Sequence, residues 1–132
     1  MSTTNGNTAL PAQFKQALQQ TEQSRDATAV ARLFREGAHL TNLGGDHGTD
    51  ATKFWQLYLE QFSEIASEFT GEIVSDRTAA LEWQSRGKLA DGRPVEYRGV
   101  SVIEFDHDGV TSFRTYYDSA AFVRNRTRYS PH

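Results

Sequence analysis

The chain has no cysteine among its 132 residues, which excludes disulfide bonds, thiolate nucleophiles and cysteine-bound zinc. It also lacks an apolar run near the ~20 residues that span a bilayer, and its opening MSTTNGNTAL has neither the basic nor the apolar part of a signal peptide. Basic residues do not outnumber acidic ones, 14 against 17, so the charge balance gives no attraction to nucleic acid or to an anionic membrane. These absences predict a cytoplasmic protein without a nucleic-acid or membrane partner.

Aromatic residues, in contrast, are abundant: eight Phe, five Tyr and two Trp. With 37% apolar residues they suffice for one bulky core, and the length fits a single domain. Residues 1–9 consist mainly of Ser, Thr, Asn and Gly, which predicts a disordered leader. The end of the chain, VRNRTRYSPH at 123–132, predicts a solvated basic tail, with a partner-binding arm as the alternative. The folded domain should therefore span 10–122.

The first third of the chain has the apolar spacing of helices. Apolar residues recur every four positions after Leu10, beside Pro11, which suits the first position of a helix. Asp26 is a suitable N-cap for a second helix and Gly37 a suitable end. Two helices are therefore predicted to fill roughly 11–36.

A third helix is predicted after a short extended segment and a loop. The segment AHLTN, 38–42, should be extended, and LGGDHG, 43–48, should be the loop. The helix should begin near Thr49 or Asp50. Its apolar stripe consists of Trp55, Tyr58, Leu59 and Phe62.

From about Glu68 the apolar period changes to two, which is typical of strands. Two three-residue loops with Gly in third place, ADG at 90–92 and HDG at 107–109, predict hairpins closed by a G1 bulge. The predicted strands are 68–75, 79–89, 94–106 and 110–118. Helices followed by an antiparallel sheet make the fold class α+β.

The two hairpin loops also predict the register of the strands. Leu89 should pair with Arg93, and Asp106 with Val110. The face turned toward the helices then carries Leu81, Trp83, Ser85, Gly99, Ser101, Ile103, Phe113, Thr115 and Tyr117. The outer face carries Glu82, Arg86, Glu96, Arg98, Glu104, Arg114 and Asp118, together with Val100, Val102 and Tyr116.

The outer face supports two predictions. Asp118 lies opposite Arg98, which favours a structural salt bridge over a catalytic carboxylate. An apolar centre within a charged rim predicts a homodimer through this outer sheet face. The alternative is a monomer in which the stems of Arg98 and Arg114 cover the valines.

Three stretches resemble the nuclear transport factor 2-like superfamily, and its SnoaL-like branch in particular: GAHLTNLGGDHGTDATKFW, LEWQSRGKLADGRPVEYRG and VIEFDHDGVTSFRTYYD. The resemblance covers about 11–122. It implies three N-terminal helices packed in the concave face of a curved antiparallel sheet, a cone-shaped α+β barrel with an apolar pocket. The resembled family includes ketosteroid isomerases, limonene-epoxide hydrolases, scytalone dehydratases, polyketide cyclases and non-catalytic binding modules, so the fold does not decide the activity.

The positions that match the family's catalytic motifs lack the catalytic carboxylates. Where the resembled isomerases carry their base and their protonated aspartate, this chain has Asn42 and Ser101. Where the epoxide hydrolases carry an aspartate in the last strand, it has Thr115, although Asn42 matches their pocket asparagine. A threonine does not accept a proton at neutral pH as a carboxylate does. Standard isomerase or epoxide hydrolase chemistry is therefore not expected.

The leading hypothesis is a domain that binds a largely apolar small molecule in its cone. The predicted ligand-binding residues are Asn42, Tyr58, Leu81, Trp83, Ser101, Ile103, Phe113, Thr115 and Tyr117. The rival hypothesis is an isomerase, dehydratase or cyclase for a steroid-, terpenoid- or polyketide-like substrate. Its acid would be Tyr117 or Tyr58, and its base would be His47, His39 or Asp118. The main catalytic candidates are Asn42, Tyr117 and His47. A third hypothesis is a non-catalytic module whose function is dimerisation.

No metal or cofactor is expected. The four histidines, at 39, 47, 107 and 132, share no metal-ligand spacing. A glycine-rich phosphate fingerprint after a strand is also missing.

Overall fold

The computed structural model describes residues 9–122. In chain order the elements are α1 (Leu10–Ser24), α2 (Thr28–Ala31), β1 (Phe34–Asn42), β2 (Gly45–Asp46), α3 (Ala51–Glu60), β3 (Phe62–Ser75), β4 (Thr78–Leu89), β5 (Pro94–Asp106) and β6 (Gly109–Tyr117). A helical turn follows at 120–122. The predicted basic tail, and all but the last residue of the predicted leader, lie outside the described residues.

The α+β fold class is confirmed: helices pack against one curved sheet of six strands, in the order β2-β1-β6-β5-β4-β3. The sheet is mixed rather than purely antiparallel, because β1 pairs with β6 in parallel. Within the described residues, no helix has the length and apolar character needed to cross a membrane. The cytoplasmic location stays a prediction.

Helix α1 follows the predicted pattern. Pro11 lies in its first turn, and the residues at spacing four, Leu10, Phe14 and Leu18, are buried. The buried stripe continues one step further, to Glu22, which is 3% exposed. Placing a carboxylate on this stripe brings it into the interior of the domain.

The second helix is much shorter than predicted. It ends at Ala31, and β1 begins at Phe34, where the sequence analysis expected helix to 36. Gly37, expected to end that helix, lies within β1 with φ +87°, where the register between β1 and β6 shifts. Pairing with β6 explains the difference, because it satisfies the backbone of this segment better than a further helical turn would.

Strand β3 begins six residues earlier than predicted, at Phe62. A bulge between Phe62 and Glu64 separates the buried residues Phe62 and Ile65 by three positions. That spacing imitates a helix, so the sequence analysis placed Phe62 on the stripe of α3. Helix α3 itself begins as predicted, with the Asp50 carboxylate accepting from the Lys53 N–H at 3.0 Å.

The predicted hairpin register is confirmed along the cavity-facing part of the sheet. Trp83 pairs with Gly99, and Ser101 lies between Leu81 and Thr115 on its two neighbouring strands. One pair differs: Asp106 pairs with Gly109 rather than with Val110. A bulge next to this turn restores the predicted register from Glu104 onward. The residues predicted to face the helices therefore do so.

The predicted loop at 43–48 contains β2, whose Gly45 and Asp46 pair with the end of β1. Asp118 lies opposite Arg98 as expected, and its N–H donates to the Arg98 carbonyl at 3.2 Å. The Asp118 carboxylate accepts from the Ala120 N–H at 3.1 Å. The Asp118–Arg98 salt bridge stays a prediction.

A candidate ligand cavity

A cavity of about 100 Å³ lies between the helices and the concave face of the sheet. Aromatic residues are the largest group in its wall: Phe54, Trp55, Tyr58, Trp83, Tyr97, Phe113, Tyr117 and Phe122. The polar part of the wall consists of Asn42, His47, Gln61, Ser67, Ser85, Ser101 and Thr115, and Leu18 and Leu57 complete it. The volume approaches the ~150 Å³ of a protein cavity that admits benzene. The character of the wall suits a small, mainly apolar molecule.

Most of the predicted ligand-binding residues line this cavity, namely Asn42, Tyr58, Trp83, Ser101, Phe113, Thr115 and Tyr117. Leu81 and Ile103 do not: both are 0% exposed and lie in the main core cluster with Phe14 and Leu40. They face the helices as predicted, but the helices cover them completely. That the lining residues bind a ligand stays a prediction.

One polar group of the wall joins three neighbouring strands. The Trp83 indole Nε1–H donates to Ser101 Oγ at 2.9 Å, and Ser101 Oγ lies 2.9 Å from Thr115 Oγ1. Only glycine fits beneath this indole, because a Cβ at Gly99 would come within 2.8 Å of Trp83 Cζ2. Ser101 and Thr115 have two hydroxyl protons, and their mutual hydrogen bond uses one of them. The other is left without an acceptor among the described residues, so this side of the cavity can donate one hydrogen bond.

A second polar group surrounds the buried Glu22 carboxylate. Tyr58 Oη donates to Glu22 Oε2 at 2.7 Å, and Ser67 Oγ donates to the same oxygen at 2.6 Å. The Ser67 backbone N–H donates to Oε1 at 2.8 Å. Ser85 Oγ, on the paired position of β4, lies 2.6 Å from Ser67 Oγ. This network joins α1, α3, β3 and β4, and three of its residues, Tyr58, Ser67 and Ser85, line the cavity.

Burial governs the acidity of the groups in this network. Burial raises the pKa of Glu22, and the donated hydrogen bonds from Ser67 and Tyr58 oppose that rise. Burial also raises the pKa of Tyr58 well above its usual range, and the pKa of Tyr97 is raised for the same reason. These tyrosines therefore stay protonated at neutral pH and serve as hydrogen-bonding groups.

His47 and Asn42 form a third polar group at the cavity wall. His47 Nε2 lies 2.7 Å from Asn42 Oδ1, which also accepts from the Gly44 N–H at 2.7 Å. Since an amide oxygen only accepts, Nε2 must carry the proton in this contact. The imidazole then keeps its lone pair on Nδ1. The ring is held in place by an edge contact with Phe54, with ring centroids 5.5 Å apart.

The sequence of this chain matches a known protein family. The sequence model of the family described as "SnoaL-like domain" matches residues 14–113, which is most of the chain. This chain is a SnoaL-like domain. The resemblance read from the sequence is thereby confirmed.

Solved structures share the fold of this SnoaL-like domain. A protein from Anabaena variabilis described as NTF2-like is 17% identical, with a TM-score of 0.77 over 84% of this chain and 88% of that one. A Mycobacterium tuberculosis LEH-like epoxide hydrolase is 14% identical, with a TM-score of 0.67 over 85% of each chain. A hypothetical protein with a ketosteroid isomerase-like fold from Catenulispora acidiphila, in complex with trimethylamine, is 12% identical, with a TM-score of 0.76 over 89% and 97%. No curated protein matches.

The cavity of this SnoaL-like domain contains only part of the predicted acid–base machinery. His47, Tyr58 and Tyr117 line it. His39 does not, because its Nε2 bonds Asp46 at 2.8 Å on an exposed surface. Asp118 is exposed and caps the turn at 120–122. Within residues 9–122, no cluster of three His, Cys, Asp or Glu residues could hold a metal ion.

Three residues of the polar network at the cavity, Glu22, Ser67 and Ser85, were not predicted from the sequence. Ser85 was placed on the inward face but was given no role. The signal for Glu22 was present in the spacing, because it follows Leu18 by four residues on the apolar stripe of α1. A charged residue on such a stripe indicates a buried polar contact.

Proposed function

We propose that this SnoaL-like domain binds a largely apolar small molecule in the cavity. The observation that carries the proposal is a mainly aromatic cavity with one unused hydroxyl proton, supplied by Ser101 or Thr115. A pocket with an apolar wall and few directed polar groups is typical of small-molecule sites. The ligand should therefore have an apolar body and an oxygen acceptor such as a carbonyl.

Matched probes test this proposal. Acetophenone and ethylbenzene have similar shapes, but only acetophenone has a carbonyl acceptor. Binding can be followed through the indole N–H signals of the two tryptophans, Trp55 and Trp83, in nitrogen–proton correlation spectra. We expect both probes to shift the indole signals, with acetophenone about tenfold tighter, which is ~1.4 kcal/mol and within the range of one neutral hydrogen bond.

Variants of the hydroxyl pair give an internal control. Thr115→Val leaves the Ser101 proton available to the ligand, so the preference for acetophenone should survive. The double variant Ser101→Ala with Thr115→Val removes both hydroxyls and should abolish the preference. The same loss in Thr115→Val alone would contradict the proton count, and unmoved indole signals with every probe would refute the proposed cavity function.

A wider screen would identify the ligand class. Steroids, terpenoids and polyketide fragments can be compared by thermal shift. A ligand at 100 times its Kd should stabilise the protein by about 2.7 kcal/mol.

An enzymatic reaction is the second candidate function. We propose it in the form of an isomerase, dehydratase or cyclase in which His47 accepts a proton and Tyr117 donates a hydrogen bond, because the Tyr58 hydroxyl proton is already donated to Glu22. What supports it is the His47 ring at the cavity wall, with its proton on Nε2 and its lone pair on Nδ1. Histidine is the residue type best suited to proton transfer near neutral pH. Turnover of a bound ligand that is lost in His47→Gln, with binding retained, would establish this function; unchanged turnover would exclude His47 as the base.

Dimerisation through the outer sheet face is also proposed. Tyr116 is 46% exposed there, beside the half-buried Val100 and Val102. Some of the charges around these residues pair within the chain, as Arg114 Nη1 does with Glu104 Oε2 at 2.7 Å. The apolar centre supports the interface, and sedimentation of the wild type and of Val102→Glu tests it.

A further inference from the structure

Glu22 is a buried carboxylate without a cation beside it. It is 3% exposed, and none of the ion pairs among residues 9–122 involves it. The groups that face it are neutral: Tyr58 from α3, Ser67 from β3, Ser85 through Ser67 from β4, and Tyr97 from β5. Buried charges are usually paired, because taking an ion out of water costs several kcal/mol. Here hydrogen-bond donors alone offset the charge.

The protons of this network can be assigned one by one. In its ionised form the Glu22 carboxylate only accepts, so Tyr58 and Ser67 then spend their hydroxyl protons on it. The Ser67 proton is therefore unavailable to Ser85, and Ser85 must donate its own proton to Ser67 Oγ at 2.6 Å. All three hydroxyl protons thus point toward Glu22. The Ser85 oxygen consequently offers lone pairs to the cavity, which makes this wall an acceptor with a negative charge behind it.

Ser101 and Thr115, elsewhere on the polar wall, offer a proton and therefore favour a ligand acceptor instead. The aromatic rings near Ser85 favour a cation as well. Trp83 and Tyr97 are in edge contact with centroids 5.3 Å apart, and Tyr97 contacts Phe122 at 4.8 Å. Aromatic faces attract cations, and Trp does so most strongly. Acceptor oxygens, a buried negative charge and aromatic rings together favour an ammonium group over any neutral or anionic one.

We propose that the wall formed by Tyr58, Ser67 and Ser85 over Glu22 is a subsite for a protonated amine. The ligand is then an apolar molecule that carries an ammonium group, whose N–H donates to Ser85 Oγ. This inference rests on the proposed function of the cavity, and it names the chemical class of its ligand. A purely anchoring role for Glu22, which would tie α1 to β3 through Ser67, predicts no preference for amines.

Four probes of one shape separate these possibilities: benzylamine, benzyl alcohol, toluene and benzoate. At pH 7 they present a cation, a neutral donor, no polar group and an anion. We expect benzylamine to bind at least about tenfold tighter than toluene, which is ~1.4 kcal/mol, with benzyl alcohol between them and benzoate weakest. The indole signals of Trp55 and Trp83 report binding at the cavity. Binding of benzoate as tight as that of benzylamine would overturn the inference.

Glu22→Gln is the decisive variant, and Glu68→Gln is its control. Glu68 neighbours Ser67 on β3 but is exposed, so its substitution removes one negative charge without touching the network. The carbonyl of a glutamine at 22 can accept from the Ser67 N–H, which leaves its NH2 to donate to the Tyr58 and Ser67 hydroxyl oxygens. The Tyr58 proton is then free for the cavity, and the Ser67 proton turns to Ser85, which frees the Ser85 proton for the cavity. Glu22→Gln should lose the preference for benzylamine and bind acetophenone more tightly, whereas Glu68→Gln should keep the wild-type order. An equal benzylamine preference in both variants would overturn the inference.

Ser85→Ala tests the same subsite without changing the buried charge. It removes the proposed acceptor and leaves the hydrogen bonds from Ser67 and Tyr58 to Glu22 in place. It therefore provides a second test of the subsite if Glu22→Gln does not fold. We expect its benzylamine preference to fall several-fold; an unchanged preference would count against the subsite. Binding of toluene without any preference for benzylamine would refute the amine subsite alone. Failure of every probe to bind would refute the cavity function, and the subsite with it.

Discussion

Arg25 should be among the most important surface residues for stability. It ends α1 in the left-handed conformation with φ 66°, and its Nη2 donates to the carbonyls of Leu59 at 3.1 Å and Phe62 at 2.6 Å. These carbonyls lie where α3 ends and β3 begins, so the guanidinium also meets the negative end of the α3 dipole. Arg25→Met removes both bonds and the charge while keeping an unbranched stem of similar length.

The size of the effect follows from these two bonds. A hydrogen bond to a charged group contributes about 1.5–3 kcal/mol, but Arg25 is exposed and water can replace part of each bond. We therefore expect a loss of about 2 kcal/mol. Unfolding entropy near 2.1 cal/mol/K per residue amounts to about 0.28 kcal/mol/K for 132 residues, so Tm should fall by about 7 °C.

Thermal unfolding followed by circular dichroism measures this change against a matched control. Arg86 forms an ion pair with Glu96 Oε2 at 3.2 Å, and both of these side chains are more than half exposed, at 73% and 56%. Arg86→Met should cost at most about 0.5 kcal/mol, or under about 2 °C. Arg25→Lys keeps the charge without the planar fork and should fall between the two. A Tm for Arg25→Met no lower than that of Arg86→Met would refute the argument.

Three further predictions concern single residues. Burial raises the folded-state pKa of Glu22 above its ordinary 4.5. The contribution of Glu22 to stability is therefore fully present below pH 4.5 and is lost as the pH rises through the raised pKa. Glu22→Gln does not titrate, so it should gain stability relative to wild type between pH 4 and pH 8 in urea unfolding; a constant difference would contradict this. Asp118→Asn should cost about 0.2–1 kcal/mol and leave ligand binding intact, because its carboxylate caps Ala120 outside the cavity; loss of binding at unchanged stability would place Asp118 in the site. Val102→Glu should convert the proposed homodimer to monomers in sedimentation at micromolar concentration, because like charges would meet across the two-fold axis; a monomeric wild type, or a dimer that survives the substitution, would end that proposal.

The hairpins could be predicted because their signals are local. Gly92 and Gly109 have φ +92° and +134°, which favour glycine, and each lies within a few residues of the strands that it joins. The strand period then assigned Trp83, Ser101 and Thr115 to the concave face. These residues could be placed in the cavity wall without knowledge of the tertiary structure.

The remaining features depend on contacts that are distant in the sequence. The true start of β3 at Phe62 was hidden by a bulge, since a spacing of three imitates a helix. The partners of Glu22 come from α3, β3 and β4, so no local pattern links them. Leu81 and Ile103 were predicted to line the cavity but are completely buried in the core. The alternation of a strand shows which face of the sheet a residue is on, but it does not show how completely a helix covers that residue.

The parallel pairing of β1 with β6 has a kinetic consequence. Leu40 of β1 pairs with Phe113 of β6, 73 positions further along the chain. The three pairings among β3, β4, β5 and β6, in contrast, each join strands that are neighbours in sequence. Closing so long a loop is slow compared with closing a hairpin, so we expect the four-strand meander to form first and β1 to join it late. Asn42 and His47 arrive with β1 and β2, and they form part of the cavity wall. This part of the wall is then the last to assemble and the first to open locally, which gives a ligand a route inward while the meander stays intact.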